Sequence, residues 1–376
     1  MIDSGRNLLT HTRMQGMKTC PRKELFAYQA GIRVDRDSRA IHIGKGVHLG
    51  LHLLGEGIAL DEVVTLVRFQ FAKTAPTPGY ESEHELDEET TVRILCGYHW
   101  RYGALEAGLF GGKVIACEQQ FQLPIVNPRT GRQAQKLMLA GKFDKIIEPP
   151  DIRLAIEEHK TTGENTIAPD SDYWRRLRLD RQVALYLLAA RRGGYPVQTV
   201  IYDAIKKPGL SLNQVPILDS DGKKIVLDSA ACRVKTKKGL WRETGSKADG
   251  YVLQTRLETV EEFGERFNQD MAARPDWYFQ RREIAFTEAD IAELEYDIWH
   301  TQQLILHHQR LGVWPVGATP GCCITPYRCE FYDLCANGFN PPDALDHVPD
   351  GYKRLDWVHP ELEQEQAHDS QNANNA

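Results

Sequence analysis

Gly141-Lys142-Phe143-Asp144, then a Pro149-Pro150-Asp151 turn, then Ile156-Glu157-Glu158-His159-Lys160: this run decides the fold of the chain. Residues 135–148 and 152–161 have the alternation of successive strands, and the paired prolines mark the reversal between them. Side chains alternate across a strand, so Glu158 and Lys160 project from one side while His159 points away. The turn folds Asp144 back toward them, with the register left open by the sequence. Two carboxylates and one lysine then share one face of a sheet.

Working outward, residues 113–123 read as a preceding strand, joined to the next through Asn127-Pro128-Arg129-Thr130-Gly131. Residues 173–192 return to helical period and are closed by Gly193-Gly194, and residues 197–205 read as a fourth strand. Three strands, a helix and a strand predict an α/β fold with a mixed central sheet flanked by helices. Helical spacing also runs through residues 44–60, 88–108, 257–274 and 288–311, and residues 6–30 read as a helical lead-in. The acidic run 81–89 reads as a solvated face. The expected organisation is an N-terminal helical region (1–112), a core (113–209), a peripheral β-hairpin insertion (210–256), C-terminal helices with a cysteine cluster (257–340) and a tail (341–376). The end of that tail, polar beyond Leu362, is expected to be disordered. No internal repeat and no phosphate-binding P-loop occurs; Gly44-Lys45-Gly46 lacks the spacing.

The carboxylate–lysine grouping suits phosphodiester hydrolysis. Carboxylate oxygens bind Mg²⁺ or Mn²⁺, which acidify a bound water and neutralise charge on the phosphate. A lysine beside them holds or deprotonates the water and stabilises developing charge. On its own, Glu-x-Lys is equally an exposed ion pair. In the following helix Gln182 and Tyr186 stand four residues apart on one face, fit to bond the lysine or a nucleic-acid backbone, or simply to line an amphipathic face.

Eight cysteines need separate accounting in a chain of 376 residues. Cys96, Cys117 and Cys232 sit among apolar neighbours and read as small buried hydrophobes. Cys20 stands alone in Cys-Pro-Arg-Lys, while Cys322, Cys323, Cys329 and Cys335 crowd together near the C-terminus. Thiolates in this number suit zinc or a [4Fe–4S] cluster, and the absence of local Cys-x-x-Cys pairs makes a zinc knuckle the lesser reading.

In this order, Asp144, Glu158-His159-Lys160 and Gln182-x-x-x-Tyr186 resemble the RecB-like and phage-type branch of the PD-(D/E)XK nucleases, whose core is restriction-endonuclease-like. Gly44-Lys45-Gly46-Val47-His48 resembles the Gly-x-x-x-His setting of a further metal ligand in that family. The resemblance implies His48, Asp144 and Glu158 as Mg²⁺ or Mn²⁺ ligands, with the carbonyl of His159 or a neighbour assisting. It implies Lys160 as the catalytic lysine and Gln182 and Tyr186 as its helpers; Glu118 fits an acidic position of some members. Tyr202-Asp203-Ala204-Ile205-Lys206-Lys207 resembles the basic strand end of phage-type members. Cys20 with Cys323-x5-Cys329-x5-Cys335 resembles the four-cysteine iron–sulfur staple of AddB-type and CRISPR-associated nucleases, which joins the two ends of the chain. Cys322 beside Cys323 departs from that pattern and leaves one ligand ambiguous.

The net charge of −6 argues mildly against DNA binding by bulk attraction and leaves a local basic groove open. Arg175, Arg176, Arg178, Lys206 and Lys207 are candidate DNA contacts, with a solvated helix face as the alternative for the arginines. No apolar run reaches membrane-spanning length and residues 1–19 lack a signal-peptide core, so the expected place is the cytoplasm of a bacterial or phage-infected cell. The expected activity is a metal-dependent DNA exonuclease of recombination, repair or phage DNA processing. Helicase motifs are absent, so a helicase or recombinase partner would supply unwinding. The alternative is a catalytically inactive iron–sulfur scaffold of the same fold that binds DNA.

Overall fold

Residues 113–162 fold as the antiparallel meander that their alternation predicts: β3 (Lys113–Val126), β4 (Gln133–Glu148) and β5 (Ala155–Thr162). The protein is seen in a computed structural model that describes residues 4–35, 39–74, 76, 79–103, 112–150, 154–164, 171–222, 224–228, 251–319, 321–324 and 328–362. β3 pairs along β4 from Lys113↔Glu148 to Val126↔Gln133. The opposite edge of β4 carries two neighbours, a two-residue parallel strand β1 (Leu8–Leu9) at Met138 and Leu139, and β5 further along. β6 (Thr199–Lys206), buried at every residue, continues the sheet parallel to β5, and β11 (Phe279–Ile284) closes it antiparallel to β6. This six-stranded mixed sheet is the predicted α/β architecture, extended by β1 and β11.

Helices cover both faces. On one side α1 (His11–Thr19), α7 (Arg181–Arg192) and α10 (Glu288–Leu311) bury Met14, Leu185, Leu188, Ile298 and Ile305 against Phe143, Ile146 and Ile156. On the other, α3 (Arg39–Gly55), α4 (Leu60–Lys73), α5 (Glu81–Tyr102) and α8 (Val260–Ala273) share a core of Val47, Leu51, Val67, Leu95, Phe263 and Phe267. The single helix expected over residues 173–192 is two: α6 (Asp172–Leu177) ends, and Asp180, in extended conformation, caps α7 by accepting from the Gln182 N–H at 2.8 Å. The acidic run is also corrected in part. Asp87 and Glu89 are buried in α5, where Glu89 pairs with Arg68 and Arg93.

The insertion pairs β7 (Gln214–Pro216) with β10 (Thr255–Leu257) and β8 (Val226–Asp228) with β9 (Tyr251–Leu253), and residues 229–250 of it lie outside the described residues. So do Asp151 of the proline turn, Cys232 and the tail 363–376 expected to be disordered. Residues 341–362 pack against the N-terminal segment instead. β12 (Tyr352–Arg354) pairs with β2 (Ile32–Val34), the Leu355 N–H donates to Gly31 O at 2.8 Å, and Gln120 Nε2 donates to Leu362 O at 2.6 Å. No helix among the described residues is long and apolar enough to cross a membrane.

Candidate active site

The ladder between β4 and β5 is short. It runs through Ile147↔Ala155, Ile146↔Ile156 and Lys145↔Glu157 and stops before Asp144 and Glu158, while β5 continues along β6 as far as Thr162↔Lys206. Beyond the stop, the main-chain N–H of His159 donates to Asp144 Oδ2 at 2.8 Å. A carboxylate therefore replaces the next rung, and the two strands part as a fork with Asp144 on one prong and Glu158 and Lys160 on the other.

Three elements aim side chains at the fork. From α3, His48 places Nδ1 3.7 Å from Asp144 Oδ1. Burial disfavours an imidazolium there, but the Asp144 charge outweighs it and raises the His48 pKa; conversely burial alone would raise Asp144, and His48 holds it well below the usual carboxylate range. From α7, Gln182 Nε2 donates to Glu158 Oε1 at 3.3 Å and to the Tyr186 hydroxyl at 2.9 Å. Glu158 Oε2 is buried without a partner, and burial, with Asp144 nearby, pushes the Glu158 carboxyl well above its ordinary range. Lys160 stands exposed at the mouth. From β3, Glu118 falls between the register pairs Cys117↔Lys145 and Gln119↔Phe143, across from Asp144, and ion-pairs with Lys142. It is the one non-glycine residue with positive φ (47°) among the described residues, a conformation that costs roughly 1–3 kcal/mol and concentrates at functional sites.

The arrangement fits a hard divalent cation. It offers an orphaned buried carboxylate oxygen on Glu158, an Asp144 oxygen with only a long contact and an imidazole, and a cation there would offset the burial and the Asp144 charge that raise the Glu158 carboxyl. The structure places His48, Asp144, Glu158, Gln182 and Tyr186 around the fork, with Lys160 at its mouth.

The basic residues divide. Arg175 is exposed, Arg176 pairs with Glu164, and Arg178 lies 3.6 Å from Asp290. Lys207 is close enough to Lys160 and Asp87 to feel their charges, and burial lowers its pKa. Lys206 corrects the expectation of a surface DNA contact: it is buried and its ammonium donates to the carbonyls of Gly163 and Glu164.

Sequence reasoning missed the other side of β5. Glu157, His159 and Asp203 form a buried group whose ligand-type atoms all lie within 4.8 Å of one another. Arg281 and Lys145 already neutralise the two carboxylates, at 3.1 Å and 3.5 Å from Glu157, so charge balance disfavours a metal ion there. The available signal was an aspartate inside the otherwise apolar run of β6. His11 was also missed; it opens α1 near Lys160 and Asp180, and burial pushes its imidazole down to about 4.

Far from the fork, Cys20 ends α1 and begins α2 (Pro21–Glu24), while Cys335 lies in α11 (Tyr332–Ala336). Cys20, Cys322, Cys323, Cys329 and Cys335 line one pocket with Arg22, Lys23, Phe26 and Phe331. The Gly317 N–H donates to Cys20 Sγ at 3.2 Å, and Cys322 Sγ lies 3.1 Å from Cys323 Sγ. Burial, with Cys323 alongside, pushes the Cys322 thiol up to about 12. A side chain at Gly317 would meet Thr19 O at 2.1 Å, so only glycine lets the two segments approach. Five sulfurs with main-chain and cationic donors and aromatic walls form a donor set suited to a thiophilic metal.

The family model described as the PD-(D/E)XK nuclease superfamily matches residues 8–335, from β1 to the last cysteine. No curated protein matches at the sequence level. Among solved structures the chain is similar to a candidate exonuclease from Eubacterium rectale, at 14% identity over 90% of each chain with a TM-score of 0.43. It is also similar to SSO0001, at 14% identity over 63% of this chain and 84% of that one with a TM-score of 0.23. The family match extends over most of the sequence and takes in both prongs of the fork, so the chain belongs to the PD-(D/E)XK nuclease superfamily, hydrolases that work with divalent metals.

Proposed function

We propose that this protein is a Mg²⁺- or Mn²⁺-dependent deoxyribonuclease that degrades DNA from ends, in recombination, repair or phage DNA processing. The observation that supports it most directly is the fork, where Asp144, Glu158, His48 and Lys160 meet over an unpartnered carboxylate oxygen. Asp144, Glu158 and His48 would hold the cation, with Glu118 in reach of a second acidic position. When bound, the cation supplies an acidified water and charge neutralisation at the phosphate. Lys160, exposed at the mouth, would orient the attacking water and, as the neutral amine, could accept its proton. Gln182 fixes the Glu158 carboxylate and is itself fixed by Tyr186. Arg175, Arg178 and Lys207 line the approach for the DNA backbone, whose contacts weaken with salt. A helicase or recombinase partner would deliver the ends.

The same reading assigns Cys20, Cys323, Cys329 and Cys335 a [4Fe–4S] cluster, with Cys322 as the competing ligand and zinc as the lesser alternative. Its role is to hold the two ends of the chain together, since binding energy at a site formed only on folding is folding energy.

End-labelled linear DNA and closed circular DNA, incubated with anaerobically purified protein plus Mn²⁺, Mg²⁺ or EDTA, test the proposal. Metal-dependent loss of linear DNA with the circle spared is the expected result, and the Lys160→Ala variant should bind DNA without cutting. Unchanged cleavage by that variant would overturn the assignment. A brown protein that cuts nothing would return the chain to the scaffold reading.

A further inference from the structure

Behind the fork lies a second constellation that the proposed chemistry does not use. His159 and Asp203 are register partners in the parallel β5–β6 pair, so their side chains leave the sheet together, on the side away from Glu158 and Lys160. Five contacts bind them and Glu157 into one group. His159 Nδ1 lies 3.0 Å from Asp203 Oδ2, and because an ionised carboxylate only accepts, Nδ1 carries the proton. The Tyr98 hydroxyl, from α5, donates to the same oxygen at 2.5 Å. Arg281, from β11, bridges Asp203 at 3.3 Å and Glu157 at 3.1 Å. Lys145, from β4, reaches Glu157 at 3.5 Å.

All of this is out of water: Glu157, His159 and Asp203 are no more than 4% exposed. Burying charges in this number costs several kcal/mol per ion before any repayment, and apolar side chains of similar volume would fill the space at least as stably. Two atoms lack a hydrogen bond: Asp203 Oδ1, and His159 Nε2, which lies 3.6 Å from Glu157 Oε2. Stability alone is therefore a poor account of the group. Its position supplies a better one. His159, which Asp203 holds by Nδ1, is the residue whose main-chain N–H holds Asp144 Oδ2 on the far side of the strand.

Resting on the nuclease reading, we propose that Asp203, Tyr98 and Arg281 are positioning residues: Asp203, held by Tyr98 and Arg281, anchors the His159 side chain from behind and so fixes the peptide whose N–H holds Asp144 beside Glu158 before the cation arrives. Three elements outside the fork, α5, β6 and β11, thereby set its affinity for metal.

The test is Mn²⁺ titration of metal-free protein, followed by electron paramagnetic resonance, in wild type, Asp203→Asn and Tyr98→Phe, with thermal melting alongside. Groups that orient metal ligands from behind typically change affinity about 10–100-fold on removal, so Asp203→Asn should weaken Mn²⁺ binding by that factor. Tyr98→Phe, which deletes one hydroxyl, should weaken it several-fold with a drop in melting temperature of only a few degrees. Cleavage by both should recover at saturating Mn²⁺, a split that a general loss of structure would not give. If Asp203→Asn does not fold, Tyr98→Phe decides alone. Wild-type affinity in the folded variants overturns this inference and leaves the nuclease reading standing. A wild type that binds no Mn²⁺ and cuts no DNA overturns both.

Discussion

Glu158 carries the largest conflict between stability and function. Its carboxyl is buried near Asp144, half its hydrogen-bonding capacity is unmet, and its pKa is raised well above the ordinary range. The sign follows from linkage: a carboxyl that holds its proton more tightly folded than unfolded subtracts from stability as pH rises above the unfolded value of about 4.3. Glu158→Gln should therefore abolish metal-dependent cleavage, yet in metal-free protein it should raise the melting temperature by a few degrees at pH 8, with the gap closing toward pH 4. Differential scanning calorimetry in EDTA reads this directly, and a variant less stable than wild type across that range would refute it. Adding Mn²⁺ should reverse the order, because only wild type gains binding energy.

At the scale of elements, the α6–α7 break matters more than its three residues suggest. Asp180 satisfies a main-chain donor at the start of α7, and α7 carries Gln182 onto Glu158 and Tyr186. Asp180→Ala should cost about 1 kcal/mol of stability, the ordinary worth of such a cap, and lower the cleavage rate through a displaced Gln182. A rate equal to wild type at matched metal concentration would show that Gln182 does not depend on the cap. This element shows what the sequence does and does not display. The alternation around Glu158 and Lys160 is local, so it was legible, as was the Gln182–Tyr186 spacing. The break was not, because Arg178-Leu179-Asp180 keeps a helical pattern and only the backbone reveals the turn. β11 hid behind its charges: Arg281 is inward-facing because Asp203 and Glu157 await it, a fact set by cross-strand register and invisible in either segment alone. α4 and β1 went unread, β1 because two residues carry no periodicity.

At the scale of the whole molecule, two devices join the ends. One is the β2–β12 pair with the bonds around it, and the other is the cysteine pocket. On the proposed iron–sulfur assignment, Cys329→Ser should purify with less iron and colour than wild type and melt at a much lower temperature, while the β2–β12 pairing remains intact to limited proteolysis. Full iron content in that variant would remove Cys329 from the ligand set. Gly317→Ala should act similarly without touching a sulfur, since the added methyl would strike Thr19 O. Iron analysis after anaerobic purification checks it.

The cysteine pocket also dictates a timetable. Cys20 and the segment from Gly317 to Cys335 are separated by about 300 residues, and a ribosome adding roughly 5–20 residues per second takes about 15–60 s to cover that distance. For that interval Cys20 exists without the thiols it will face. Any ligand held by both segments can bind only once residue 335 has been made, and until then the early thiol must stay reduced to serve.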